Sequence, residues 1–261
     1  MSAPVVAVTL REIAGGRVAE AALHGAKALN LVDQHILTQA TAELEALFAS
    51  HDDLRCLLLR GADQRAFVGG ANLHALGALD RGTAEAFIRS VHGLCAALRR
   101  APVPVIAVLR GYCLGAGLEI AAACDVRLGD DSVRVGMPEV RVGVPSVVEA
   151  ALLPGLIGWG KARELMLRGH IIEADEALAI GLLQHRVPAQ ELDALAATVA
   201  ADIVAGTPAA IVAQKALFLE WEEHAMSDAI ERGVEAFVAA YSGSEPQRAV
   251  ADFFARRGRR G

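Results

Sequence analysis

The chain reads as an α/β protein with a mostly parallel sheet and a helical C-terminal part. Three observations predict this. Two short runs, the nearly continuous apolar 54–59 and the β-branched 105–109, have the length of buried strands. The order strand, strand, helix, strand, turn, helix, strand over the first 109 residues is that of parallel crossover units. From residue 191 onward helical periodicity takes over. A length of 261 residues suits one large domain, or one domain with a small appendage. The expected division is a core over 1–190 and a helical region over 191–261. The latter is too short for an independent core, so it should pack on the main body or on a neighbouring subunit.

Taken in order, residues 5–10 and 18–23 read as two strands around Ala14-Gly15-Gly16. Lys27-Ala28-Leu29-Asn30 follows as a loop. Asp33 can cap a helix running to about Ser50, because Ile36, Leu37, Ala40, Leu44, Leu47 and Phe48 share one helical face. Gly61 ends the strand 54–59. Residues 66–73 read as a turn carrying Gly69 and Gly70, and helical patterns continue to Leu98. Pro102 and Pro104 precede the strand 105–109. A glycine-rich turn over 111–117 then opens a helix with Glu119 in its first turn and 120–124 as its apolar body. A short strand pair leads to Met137-Pro138-Glu139. Beyond Pro145 the pattern is mainly helical. Gly158-Trp159-Gly160-Lys161 breaks one helix and starts the next, Gly181 ends a short helix over 174–179, and 183–187 reads as a last strand. Three or four amphipathic helices close the chain. Their markers are Leu192, Leu195, Val199 and Ile203; then 211–221; then Ile230, Val234, Phe237 and Tyr241; then Val250, Phe253 and Phe254.

Composition removes several classes of function. Hydrophobic residues make up 54% of the chain, but no run approaches the ~20 apolar residues of a membrane helix. The start has neither a basic segment before an apolar core nor the Arg-rich pattern of a transit sequence, so a cytoplasmic protein is expected. Cys56, Cys95, Cys113 and Cys124 are scattered through apolar segments without a C-x-x-C pair, which reads as free buried thiols. A net charge of −6 argues against nucleic-acid binding. The one basic cluster is terminal, at Arg256, Arg257, Arg259 and Arg260, and by itself reads as a solvated tail. There is no G-x-S-x-G elbow, S-x-x-K, H-E-x-x-H or Walker A loop, and the histidines do not pair at metal spacing.

Chemistry concentrates between Pro104 and Pro145. Gly115-Ala116-Gly117 lies between a strand and a helix. It could be a plain tight turn. It cannot be a dinucleotide loop, because Ile120 stands where G-x-G-x-x-G needs its third glycine. Or it is an oxyanion hole, with the Ala116 N–H at the positive end of a helix dipole; such a donor stabilises a developing oxyanion by roughly 3–4 kcal/mol. Glu119 in an otherwise apolar helix faces either water or a site. Glu139 alone is an ordinary loop glutamate. Each is unremarkable singly; the combination is not.

That combination resembles the enoyl-CoA hydratase/isomerase, or crotonase, family over almost the full length. The most specific motif is Gly111-Tyr112-Cys113-Leu114-Gly115-Ala116-Gly117-Leu118-Glu119, continuing to Cys124-Asp125. Lys27-Ala28-Leu29-Asn30, the 66–72 turn, Met137-Pro138-Glu139-Val140-Arg141-Val142-Gly143 and the ending Asp252-Phe253-Phe254-Ala255-Arg256-Arg257 support it. The resemblance implies a core of stacked ββα turns wound as a superhelix. It implies a C-terminal helical region that builds trimers, often paired into hexamers, and an acyl-CoA ligand of the kind handled in fatty-acid β-oxidation. By the same match the oxyanion hole is the N–H of Ala71 and of Ala116. Lys27, Ala28, Leu29, Gly70 and Asn72 lie along the coenzyme A, and Arg256 and Arg257 contact its phosphates. Glu119 and Glu139 match the two glutamates of the hydratases. The implied activity is hydration of a 2-enoyl-CoA: Glu119 holds and deprotonates the water, Glu139 protonates the α-carbon, and no metal or redox cofactor is needed because coenzyme A belongs to the substrate. Double-bond isomerisation, another acyl-CoA lyase reaction or non-catalytic acyl-CoA binding are the alternatives.

The match has departures. Asn72 stands where aspartate is frequent, and His74 where a lysine is frequent. After Gly143, Val144-Pro145-Ser146-Val147-Val148-Glu149 replaces a glycine-rich loop, so Pro145 and Glu149 are candidates for shaping the acyl pocket. Glu149 is expected to be a helix-start residue in water, the other reading being a third acid in the site.

Overall fold

A computed structural model describes residues 4–27 and 29–258, without the side chains of residues 253 and 256–258. In chain order the elements are β1 (Val6–Ile13), β2 (Gly16–Leu23), α1 (Gln34–Ser50), β3 (Leu54–Gly61), β4 (Ala66–Val68), α2 (Leu73–Gly77), α3 (Ala84–Arg99), β5 (Val105–Leu109), β6 (Tyr112–Leu114), α4 (Ala116–Ala122), β7 (Val126–Asp130) and β8 (Arg134–Gly136). Then come α5 (Leu153–Arg168), β9 (Ile171–Glu173), α6 (Ala174–Ala179), β10 (His185–Val187), α7 (Leu192–Val204), α8 (Pro208–Glu223), α9 (Met226–Ala240) and α10 (Glu245–Gly258). Two 3-10 turns, Glu139–Val142 and Val148–Leu152, bridge β8 to α5.

The strands form two sheets. The larger has six strands in the order β1-β2-β3-β5-β7-β10 and the smaller four in the order β4-β6-β8-β9. Each consecutive pair, β3/β4, β5/β6 and β7/β8, gives its first strand to the large sheet and its second to the small one. Successive pairs stack in parallel, Leu57 opposite Val105 and Ile106 opposite Val126 in one sheet, Cys113 opposite Val135 in the other. This is the stacked ββα winding that the resemblance implied.

Two expectations need correction. The glycine-bearing stretches 66–73 and 111–117 are not only turns, since each contains a three-residue strand. The strands after Cys124 do not pair with each other; β7 pairs with β5, and β8 with β6. Three residues are too few to show a period-2 pattern, so β4 and β6 left no signal in the sequence.

The centre of the large sheet is covered on both faces, which is why β5 reads as an unbroken apolar run. Along β5, Val105, Ala107 and Leu109 join the main core with Leu57, Leu59, Leu118 and the buried faces of α1 and α3. Their neighbours Ile106 and Val108 face the other way, against Leu192, Ala196, Ala200 and Val204 of α7. Lys215 fastens α8 beneath this. Its buried ammonium donates to Asp125 at 2.6 Å and to the Leu98 carbonyl at 3.1 Å. Among the described residues no single helix is long and apolar enough to cross a membrane; α7 and α8 reach that length only as a pair bent by 104°.

Candidate active site

The helix α4 begins where β6 ends, and Gly115 makes the junction. Its φ of +51° is a conformation that side chains resist, and a Cβ there would overlap Glu139 Oε1. Glycine is therefore required both for the turn and for the approach of the Glu139 carboxylate. One residue on, Ala116 occupies the first helical position, where an N–H has no partner within the helix. At the other end of α4, buried Arg127 donates to the carbonyls of Cys124 and Ala121, the end where positive charge is favourable.

The second turn reaches the same place from β4. Val32 N–H donates to the Gly70 carbonyl and Asn72 N–H to the Val32 carbonyl, so Ala71 N–H takes part in neither bond. Gly70 is buried, and a Cβ on it would lie 3.1 Å from the Leu114 carbonyl, so the Ala71 turn and the Ala116 turn abut. Gly69 N–H donates to the Leu29 carbonyl at 2.8 Å, which brings the Lys27 loop against the same turn. Lys27 and Leu29 are exposed there. Asn72 is engaged as a helix cap, its Oδ1 accepting from His74 N–H at 3.0 Å. His74 is exposed. Ala28 lies outside the described residues, as do the side chains of Arg256 and Arg257.

Both predicted glutamates reach the start of α4. Glu119, in its first turn, is 4% exposed, and its Oε1 accepts from Ala150 N–H at 3.1 Å. Burial pushes its carboxyl up to about 8; the Ala150 N–H opposes this, and the charges of Glu139 and Glu149 add to it. Glu139 opens a 3-10 turn and is half-buried. Its Oε2 accepts from Ser146 Oγ at 3.0 Å. Burial raises its carboxyl too, against its own backbone N–H and the Ser146 hydroxyl. The Glu139 charge thus reaches Glu119, adding to the rise that burial causes there.

The expectation that Glu149 lies in water is overturned. It is 4% exposed, its Oε1 lies 2.8 Å from His92 Nδ1 of α3, and its Oε2 is buried without a partner. The turn Val148–Leu152 packs against α4, α3 and α5, which carries the Glu149 side chain inward. Pro145, by contrast, is exposed.

Sequence reasoning missed several participants. Ser146 sits seven residues from Glu139 in a segment without helical or strand period. Ala150 acts through its backbone, which has no residue signature. His92 borders the buried face of α3 and gave no sign of its partner 57 residues away. Asn30, noted only as part of a motif, is buried with φ of +54°. Its side-chain oxygen accepts from Gly25 N–H, and its amide donates to the carbonyls of Leu23 and Phe67, which locks the Lys27 loop onto β2 and β4. The four cysteines are buried and free. No three His, Cys, Asp or Glu among the described residues converge as a metal-binding group.

Two stacked sheets with two glycine turns and a carboxylate pair at one helix start define a class of fold and site. The family model for enoyl-CoA hydratase/isomerase matches residues 14–259. The chain belongs to the enoyl-CoA hydratase/isomerase family. It is 30% identical over 254 residues to the short-chain-enoyl-CoA hydratase of Clostridium acetobutylicum, with 93% of each chain covered. To YngF of Bacillus subtilis it is 33% identical over 162 residues, an alignment spanning 62% of each chain. The crystal structure of an enoyl-CoA hydratase from Mycobacterium smegmatis superposes with a TM-score of 0.89 over 97% of both chains at 24% identity, a likeness of fold.

Proposed function

We propose that this protein is an enoyl-CoA hydratase, adding water reversibly across the 2,3 double bond of a 2-enoyl-CoA thioester. The observation that carries the reading is that two raised carboxyls, Glu119 and Glu139, meet at the start of α4, with Glu139 against the Gly115 turn that precedes Ala116. Ala116 N–H and Ala71 N–H hold the thioester oxygen. As water adds, that oxygen gains enolate-like charge, which fixed N–H donors stabilise more than they stabilise the neutral carbonyl. In the form of the pair whose single proton sits on Glu139, the water oxygen bonds to the β-carbon while its proton passes to Glu119. The proton of Glu139 passes to the α-carbon as the enolate collapses. The product is a 3-hydroxyacyl-CoA, and the pair again holds one proton, now on the other carboxyl. The reverse reaction consumes that state. Both directions therefore need a pair that shares a single proton.

Lys27, Leu29 and Gly70 line the path of the coenzyme A in this reading, and Arg256 and Arg257 meet its phosphates. The reaction draws on these groups and the thioester itself, without a metal or redox cofactor. Another copy of the chain covers the apolar faces of α9 and α10, giving a trimer or a pair of trimers.

The buried third carboxylate, Glu149, favours one second reading, double-bond isomerisation of a 3-enoyl-CoA. The test is loss of the conjugated enoyl thioester absorbance with short and long 2-enoyl-CoA substrates, and product analysis with 3-enoyl-CoA. Hydration by the wild type is expected, with turnover lowered on the order of 10²–10⁴-fold in Glu119→Gln and in Glu139→Gln. A wild type that leaves every 2-enoyl-CoA untouched, or two variants of full activity, overturns the hydratase reading.

A further inference from the structure

We infer that Glu149 is a positioning residue for Glu119: latched to His92, it holds the Val148–Leu152 turn in a strained shape that aims Ala150 N–H at the Glu119 carboxylate. The inference rests on Glu119 being a working acid–base group, as proposed above. Three features converge on this turn. Val148 has φ of +38°, a left-handed conformation that a β-branched residue resists. Such a conformation persists only where the surroundings impose it. Immediately after it, Glu149 is drawn inward and held by His92 Nδ1 at 2.8 Å. Immediately after that, Ala150 N–H is shared between the Val147 carbonyl at 2.9 Å, which closes the turn, and Glu119 Oε1 at 3.1 Å. The latch, the strain and the contact to Glu119 thus occupy three consecutive residues, and the backbone transmits any slack in the first to the last.

A buried carboxylate is costly unless it is paired, and Glu149 has only the half-exposed His92 imidazole and the weakly donating Cys95 thiol as side-chain partners. This is a poor arrangement for stability alone, since an apolar residue would pack against α3 and α4 without that penalty. It does place a second negative charge near Glu119. The titratable groups that face Glu119 are Glu139 from the 3-10 turn, Glu149 from its own turn, and Cys95 from α3, with His92 behind Glu149. The Glu149 charge acts on both Glu119 and Cys95, and with Glu139 it favours keeping a proton on Glu119.

The two effects separate by mutation. Glu149→Gln keeps an acceptor for His92 but removes the charge. The alkaline limb of kcat/KM should then move to lower pH. His92→Ala keeps the charge and removes the latch. Its kcat should fall on the order of tenfold with KM for the enoyl-CoA unchanged, as for a misplaced catalytic group. Val148→Gly relieves the left-handed strain. Added to His92→Ala, it should recover most of the lost kcat, because an unstrained turn no longer needs its latch. Thermal melts of all variants check that each folds. A His92→Ala enzyme as fast as wild type, a double variant no faster than His92→Ala, or an unmoved alkaline limb in Glu149→Gln each overturns the inference. If the wild type isomerises 3-enoyl-CoA and does not hydrate 2-enoyl-CoA, the proposed function fails, and the same variants still test the latch on the isomerase reaction.

Discussion

At the scale of single residues, the chain's chemistry turns on how far burial displaces two carboxyls. Glu119 holds its proton up to about pH 8 because water is excluded and Glu139 and Glu149 lie close; the Ala150 N–H only partly offsets this. The proposed hydration needs one proton shared by Glu119 and Glu139, so under that proposal kcat/KM should fall above about pH 8 as the last proton leaves. Water addition neither consumes nor releases protons, so hydration and dehydration must show this limb at the same pH. Parallel pH profiles in the two directions check it. The same displacement predicts a stability slope. A carboxyl raised above its ordinary value of 4.5 binds a proton in the folded chain that the unfolded chain has released. Stability therefore falls as pH rises from about 4.5 to about 8, and Glu119→Gln should flatten most of that slope in denaturant titrations.

At the scale of elements, the site depends on junctions more than on the strands and helices themselves. Gly115 joins β6 to α4 at φ of +51° with the Glu139 carboxylate against it. Gly115→Ala should fold with reduced stability, and it should lose activity because the added methyl displaces that carboxylate; steady-state kinetics and a melt read the two effects separately. The second junction is electrostatic. Asp125, just past α4, accepts from both Val105 N–H of β5 and the buried Lys215 of α8. Removing one partner of a buried pair strands the other, so Lys215→Ala should cost on the order of 3 kcal/mol, measured by chemical denaturation. The helices and long strands around these junctions were legible in the sequence. Asp33 does cap α1, accepting from Ile36 N–H at 2.9 Å, and the apolar positions assigned to α1 face the core. Gly158 does interrupt the helical stretch before Lys161, with φ of +75°. The three-residue strands β4, β6 and β9 of the small sheet were not legible, because their identity comes from the neighbours they pair with.

At the scale of the whole molecule, the C-terminal helices divide by what they face. The Leu192, Ala196, Ala200 and Val204 stripe of α7 is buried on the large sheet. Among the described residues nothing covers the stripe on α9: Ile230, Val234, Phe237, Val238 and Tyr241 recur at helical spacing and are all exposed, Phe237 at 68%. In the proposed assembly this is the face that another copy of the chain covers. Phe237→Glu should shift the protein to a smaller assembly in analytical ultracentrifugation, and the monomer should melt at lower temperature.

The sequence by itself determined the α/β class, the long elements and the two glutamates at the glycine turn. It could do so because period, capping and a local motif are properties of neighbouring residues. Only the tertiary structure decided that β7 and β8 belong to separate sheets, that Asn72 caps α2, and that Glu149 is buried against His92 beside Glu119. The physical reason is the same in each case. Whether a carboxylate meets water or another side chain depends on what the fold carries to it from far along the chain. Here a residue 57 positions away turned a helix-start glutamate into part of the site.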